Sequence, residues 1–249
     1  MFNFFANESQ KYGNRYLIAN PDYNHIINVL RMKTGDEFLV SCGGQSDLCV
    51  IESAENETVT ALITEENFKD TSLPIEIYLF QGLPKSDKLE LIIQKTVELG
   101  ISGIIPVEMS RCIVKLDGKK KDSKVSRWQS ISESAAKQSK RNVIPEVFGV
   151  MSYKEALRKA SELDLVLVPY ESKNGMADTA DALSMIKSGM KIGIFIGPEG
   201  GFDEKEIALA EEIGAKIISL GKRILRTETA AITATAMLML HAELNGDNL

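Results

Sequence analysis

From Lys191 to Arg226 the chain reads KIGIFIGPEGGFDEKEIALAEEIGAKIISLGKRILR, and this stretch restricts the fold more than any other. An apolar run, Ile192, Ile194, Phe195 and Ile196, breaks into Gly197-Pro198-Glu199-Gly200-Gly201. Such a run reads as a strand. Asp203 with Glu206 three residues on reads as a helix start, the aspartate capping free amides while the glutamate reaches back. A second short apolar run, a second glycine-bearing loop at Leu220-Gly221 and an Ala/Thr-rich helix follow, with Thr227 placed to cap that helix. Two glycine-marked turns at strand ends, each opening onto a helix, are how α/β proteins build a small-molecule pocket.

The rest of the chain sorts into two patterns. Short strand candidates crowd residues 1 to about 70: Arg15–Ile18, Glu37–Val40, Leu48–Ile51 and Thr58–Ile63, separated by turn signals such as Thr34-Gly35-Asp36 and Cys42-Gly43-Gly44. That spacing predicts a small β-barrel, with one helix over Asp22–Met32 carrying His25, Val29 and Arg31. A polar segment ending in Pro74 marks the boundary, giving domains of residues 1–72 and 73–249. Beyond it, strands alternate with helices, the pattern of a largely parallel sheet. Asp87 with Glu90 and Ser152 with Glu155 read as capping boxes, and Leu89, Ile92, Ile93 and Val97 as one buried helix face. A helix is predicted from Arg127 to Lys140, a strand from Leu165 to Pro169, and a polar loop over Tyr170-Glu171-Ser172.

Composition excludes several classes. No apolar run approaches the roughly 20 residues that cross a bilayer, and the N-terminus lacks the pattern of a signal peptide. Three cysteines without Cys-x-x-Cys spacing argue for a reducing, cytoplasmic setting, and against a disulfide framework or zinc site. With only two histidines, no histidine-rich metal centre is expected. The net charge of −6 speaks against bulk polyanion binding, yet from Arg111 to Arg141 ten Lys/Arg stand against three Asp/Glu. A basic segment in an acidic chain suits a localised RNA contact, a lysine-rich loop at 119–121 accounting for part of the excess.

The GPEGG loop is neither a dinucleotide fingerprint nor a Walker loop, because no Gly-Lys-Ser/Thr follows. Its glutamate would repel a phosphate and suits a ligand with hydroxyls, an amine or a positive centre. In the second loop Arg223 and Arg226 flank Ile224-Leu225 where the chain should line the pocket.

GPEGG followed by LG-x-RILRTETA resembles the signature of the RNA methyltransferases with a trefoil-knotted C-terminal domain, and most of all the bacterial small-subunit ribosomal RNA uridine-N3 methyltransferases. KLELIIQKTVELG from Lys88 to Gly100, Ile105-Pro106, Ser110-Arg111-Cys112 and Glu133-Ser134-Ala135-Ala136-Lys137-Gln138-Ser139 extend the match, as do His25-Ile26 and Val29-Leu30-Arg31 with Gly35. The resemblance implies a knotted α/β methyltransferase domain after a small PUA-like β-barrel, S-adenosyl-L-methionine as cofactor, a homodimer, and ribosomal RNA of the small subunit as partner. By position it assigns the cofactor to Pro169, Tyr170 and Glu171, to Ile196, Gly197, Pro198, Glu199, Gly200 and Gly201, and to Leu220, Gly221, Arg223, Ile224, Leu225, Arg226 and Thr229. RNA contacts fall on His25, Arg31, Arg111, Lys137, Gln138, Lys140 and Arg141. Where the family carries an arginine near its start, this chain has Asn3, so no RNA contact is assigned there.

The expected reaction moves a sulfonium methyl to a uridine N3 that must lose its proton. Arg226, with Arg223, is the candidate stabiliser of negative charge on the uracil oxygens, and Glu199 is the candidate base or loop-ordering residue. Two other readings compete: a non-catalytic RNA-binding protein, and a knotted methyltransferase acting on a transfer RNA or a ribose 2′-hydroxyl.

Overall fold

The computed structural model describes residues 1–170 and 175–246, the side chain of Lys119 excepted. It divides into two compact units, Met1–Ser72 with Ala136–Ile144, and Leu73–Ala135 with Pro145–Leu249.

The first unit is a six-stranded sheet. Its strands are β1 (Asn3–Phe5), β2 (Lys11–Tyr12), β3 (Arg15–Ile18), β4 (Glu37–Cys42), β5 (Gln45–Glu55) and β6 (Thr58–Glu65), in the order β1-β4-β5-β6-β3-β2. All neighbours are antiparallel except β1 and β4. Strand alternation turns Tyr16 and Ile18 inward and leaves Leu17 exposed. Phe4, Tyr16, Phe38, Cys49 and Val59 share one core, with Phe4 edge-on to Phe38 at 5.7 Å. The buried Asp47 accepts hydrogen bonds from the Tyr16 hydroxyl at 2.7 Å, Lys11 Nζ at 3.2 Å and the Asn67 amide at 3.0 Å. Burial, reinforced by that carboxylate, pushes the Tyr16 hydroxyl's titration well up.

The helix predicted over Asp22–Met32 is shorter. A turn of α-helix, α1 (Asp22–Asn24), widens into a π-turn over His25–Val29, where the Leu30 amide reaches back five residues to the His25 carbonyl. Arg31, at φ 56°, then leaves the helical region. Asn3 is a structural residue: its side-chain amide donates to the Arg141 carbonyl at 3.1 Å, and its oxygen accepts from Ser41.

The second unit alternates strands and helices as the sequence predicts. In chain order it holds β7 (Glu76–Gly82), α2 (Lys88–Glu98), β8 (Gly103–Glu108), α3 (Gly118–Ser139, whose residues from Ala136 on count with the first unit), β9 (Glu146–Val147), β10 (Met151–Ser152) and α4 (Tyr153–Ala160). It continues with β11 (Leu165–Pro169), α5 (Met176–Ser184), β12 (Lys191–Ile196), α6 (Glu204–Glu212), β13 (Lys216–Ile218) and α7 (Thr227–Asn245). The sheet runs β10-β8-β7-β12-β11-β13, with β9 also on β8, and each of its pairings is parallel. Because β12 enters between β7 and β11, it is buried on both sides and reads as a continuous apolar run. Phe80 and Phe195 sit in register on β7 and β12 and stack at 4.4 Å.

Capping boxes form at Ser152/Glu155 and Asp203/Glu206. The one predicted at Asp87 does not. Asp87 has φ −93° and ψ 17°, not the extended backbone that aims a cap, and Glu90 is drawn to Arg127 at 2.8 Å. Residues 119–121, expected in a loop, belong to α3, which begins nine residues before the predicted Arg127 start. Among the described residues no helix is long and apolar enough to cross a membrane, and no cluster of His, Cys, Asp or Glu could hold a metal ion.

Candidate functional site

The carboxyl ends of β11, β12 and β13 face one cavity of about 530 Å³, within the usual range for small-molecule sites. Pro169 and Tyr170 leave β11, Ile196 to Gly201 leave β12, and Leu220, Gly221 and Arg223 to Arg226 follow β13. All of these line the cavity, as do Lys88, Arg111, Phe202, Ser219, Thr227 and Ala230. Of the cofactor residues assigned by position, Glu171 lies outside the described residues. Thr229 is exposed and absent from the wall. Thr227, two residues earlier, is buried and does line the cavity.

The GPEGG loop is a tight turn. The Gly201 amide donates to the Pro198 carbonyl at 2.9 Å, and Gly201 itself sits at φ 67°, where a side chain would be strained. Glu199, on the turn, is fully engaged: Lys88 Nζ lies 2.9 Å from its carboxylate and the Lys85 amide donates at 3.1 Å. Burial alone would raise its titration, but the bonds from Lys88 and Lys85 outweigh that and hold it below the usual glutamate value. Through Lys85 and Lys88 the Glu199 carboxylate thus ties the turn to the start of α2. Lys88 also lies 3.4 Å from Glu228, spanning from the GPEGG turn to the start of α7.

Arg111, assigned to RNA by position, is turned onto the same loop. Its Nη1 donates to the Gly200 carbonyl at 3.1 Å, and its side chain packs so closely that a Cβ on Gly200 would lie 2.9 Å from its own. Arg223, Ile224 and Arg226 stand exposed at the mouth, Ile224 at 86%. Among the described residues nothing hydrogen-bonds or ion-pairs with the Arg223 or Arg226 guanidinium, so both are free to meet an anionic group.

The other RNA candidates, His25, Arg31, Lys137, Gln138, Lys140 and Arg141, all belong to the first unit. His25 is exposed and sets its ring edge-on to Phe4 at 5.8 Å. Lys137 lies 6.0 Å from the centre of that same ring and 3.1 Å from Asp22, so His25 and Lys137 meet around Phe4. Lys137 is thereby anchored in its own unit, unlike the exposed Arg31 and Gln138. Burial pulls the Arg141 guanidinium down to about 10.

Gln81 is a candidate that nothing in the residue pattern singled out, and Thr227 is one that the pattern read only as a helix cap. Thr227 is the first helical residue rather than the cap, a position held by Arg226 without any side-chain bond. The Thr227 hydroxyl instead donates to the Gly197 carbonyl at 2.6 Å, and Gln81 Nε2 donates to Thr227 Oγ1 at 2.9 Å.

A family model for an RNA methyltransferase domain matches residues 71–239, and one for an RNA methyltransferase PUA domain matches residues 18–64. The chain is 39% identical over 233 residues to the ribosomal RNA small subunit methyltransferase E of Bacillus subtilis (strain 168), spanning 92% of this chain and 91% of that protein. Its similarity to the protein of the same name from Mesomycoplasma hyopneumoniae (strain 232) is 36% over 234 residues, 93% of this chain and 96% of that one. Among solved structures, it is similar to ribosomal RNA small subunit methyltransferase E from Neisseria gonorrhoeae bound to S-adenosyl methionine. That match has a TM-score of 0.81 and 33% identity, covering 96% of this chain and 97% of the other.

Proposed function

Because the chain belongs to the RNA methyltransferase family of the ribosomal RNA small subunit methyltransferase E proteins, we propose that it transfers a methyl group from S-adenosyl-L-methionine to N3 of a uridine in small-subunit ribosomal RNA. The observation that carries this is the convergence of three strand-end loops on one cavity lined by Gly197, Gly200, Gly201 and Gly221 and by Arg223 and Arg226, whose guanidiniums have no partner among the described residues.

The cavity suits that cofactor on its own chemistry. Ile196, Tyr170 and Leu225 offer apolar walls for a purine, and main-chain groups of the two glycine loops offer polar partners for its edges. The Glu199 carboxylate disfavours a phosphate ligand and favours a cationic centre nearby. When bound, S-adenosylmethionine supplies an already activated methyl group, so the chain is left to align, to exclude water and to manage one proton.

Arg226, supported by Arg223, stabilises the negative charge that spreads onto the uracil oxygens as N3 gives up its proton. Glu199 is committed to Lys88 and Lys85, which leaves the proton to solvent or to the RNA itself. The acceptor base must be unpaired or extruded to reach the mouth. The first unit, residues 1–72 with the segment 136–144, is assigned to RNA binding through Arg31, Gln138, Lys140 and their neighbours, and the unit from Leu73 onward to methyl transfer. The joint use of the β11, β12 and β13 loops supports a trefoil-knotted chain path here. Leu240 and Leu244, one helical turn apart and exposed at 51% and 79%, support a homodimer formed through α7. Action on ribosomal RNA supports a cytoplasmic location.

The test is mass mapping of small-subunit ribosomal RNA from cells lacking this protein and from cells in which it is restored. One uridine should lose its methyl group in the first and regain it in the second. An unchanged map removes the substrate assignment.

A further inference from the structure

Beneath the cavity lies a short polar chain of atoms that the methyl-transfer reading does not use. Gln81, at the end of β7, is fully buried and donates from Nε2 to the Gly82 carbonyl at 2.9 Å and to Thr227 Oγ1 at 2.9 Å. Thr227, 5% exposed, passes its own hydrogen to the Gly197 carbonyl at 2.6 Å. Since that hydrogen is spent, Thr227 can only accept from Gln81, and the Gly82 carbonyl can only accept as well. The NH₂ end of the Gln81 amide must therefore face both. The consequence is a buried Gln81 Oε1 with no partner among the described residues. Buried acceptors are seldom left stranded, so the arrangement gives up one hydrogen bond to aim two others.

The same three places are pressed together by shape. A Cβ on Gly82 would lie 2.7 Å from both the ring Cδ and the nitrogen of Pro198, so the GPEGG loop rests directly on the bare Cα next to Gln81. Above, Lys88 spans Glu199 and Glu228 at 2.9 and 3.4 Å. The loop after β12 and the first turn of α7 are thus tied from below through Thr227 and from above through Lys88.

We propose that Thr227 is a positioning residue: its hydroxyl, oriented by Gln81, locks the Gly197 carbonyl and so holds the cofactor loop and the adjacent Arg226 in one fixed relation. This rests on the methyltransferase reading and adds to it a residue that acts through the Gly197 peptide. Turning the Gly197 carbonyl down onto Thr227 sets the orientation of the peptide that starts the GPEGG turn. Displacing that peptide disturbs the cofactor wall, while Arg226, one residue before Thr227, shifts with it.

The test compares Thr227→Val, which keeps shape and loses the hydroxyl, with Thr227→Ser, which keeps the hydroxyl, and with Gln81→Met, which leaves Thr227 intact. Full-length proteins are titrated with S-adenosylmethionine by calorimetry, and methyl transfer to a ribosomal RNA fragment is followed at saturating cofactor. Thr227→Val should weaken the Kd about tenfold, equivalent to ~1.4 kcal/mol, and lower kcat as well. Thr227→Ser should stay within about threefold of the unaltered protein, and Gln81→Met should fall between them. A merely destabilised variant would show fewer binding sites at an unchanged Kd, which counts against the proposal. So does a Thr227→Val protein that binds and turns over normally, or a Thr227→Ser protein that falls as far as Thr227→Val. Failure of the unaltered protein to bind S-adenosylmethionine sinks the methyltransferase reading and this inference together, whereas normal binding by both unaltered protein and Thr227→Val sinks the inference alone.

Discussion

Gly82→Ala is the sharpest probe of how the cofactor loop is seated. The added methyl group would approach Pro198 Cδ and Pro198 N at 2.7 Å and Met109 Sδ at 2.9 Å, against the 3.5–4.0 Å or so of comfortable contact. Met109 can swing its thioether aside, but the Pro198 ring has no such freedom, so the GPEGG loop must lift. Overpacking of this kind costs about 1–3 kcal/mol. Alanine recovers roughly 0.4–1 kcal/mol by restricting the unfolded chain, since Gly82 lies outside the left-handed region. The net expectation is a loss of about 1–2 kcal/mol, and at ~2–4 °C per kcal/mol a fall in melting temperature of about 2–8 °C. Trp128 is the single tryptophan, is 5% exposed and belongs to the second unit, so its fluorescence isolates the relevant transition. Calorimetric titration of the same variant with S-adenosylmethionine should show a Kd weaker by about tenfold, or ~1.4 kcal/mol. A Gly82→Ala protein that melts and binds like its parent would refute the claim that the loop rests on this strand end.

Further expectations concern charge. Arg226→Ala should lower kcat by about 10²–10³-fold, the usual loss for one oxyanion-stabilising donor, with a much smaller change in cofactor Kd; a kcat left intact removes Arg226 from the chemistry. Glu199 titrates below its ordinary 4.5, so its contribution to stability is fully present above that value and disappears as pH falls through the lowered one. Glu199→Gln should accordingly melt lower than the parent at pH 7 and converge with it in acid, and parallel melting curves across that window would contradict the Lys88 pairing. Arg31→Ala should weaken RNA binding across sequences and reduce the salt dependence by about one released counterion, leaving S-adenosylmethionine affinity unchanged in the same titration.

What could be read from residue order alone was whatever depends on neighbours a few positions apart. The Asp203/Glu206 and Ser152/Glu155 boxes are contained within four residues each, and both form. The apolar face of α2 is a matter of helical period, and Leu89, Ile92, Ile93 and Val97 are all buried. The two glycine loops announce themselves because a turn at a strand end needs those residue types. Partner choice over distance was not legible. Glu90 abandons the predicted box for Arg127, 37 positions away, and Lys137 pairs with Asp22, 115 positions away. Strand β1 escaped notice because three residues carry too little alternation to signal a strand, and its parallel partner β4 lies 36 residues on. The shift from Thr229 to Thr227 is a question of helical phase, since two residues turn a side chain through more than half a circle. Only the observed start of α7 settles which threonine faces inward.

The first unit is built from two separate pieces of chain, and this bears on how the protein can be taken apart. Asn3 and Ser41 find acceptors on Arg141, and Asn142 reaches Lys69 and Asp70, all from the segment 136–144. A fragment ending at Ser72 would strand those donors, and one beginning at Leu73 would carry the orphaned segment with nothing to fold onto. The sheet unit is therefore no exchangeable cassette. Grafting it onto another catalytic module, or replacing it by recombination at a single crossover, would require the distant strip to travel with it.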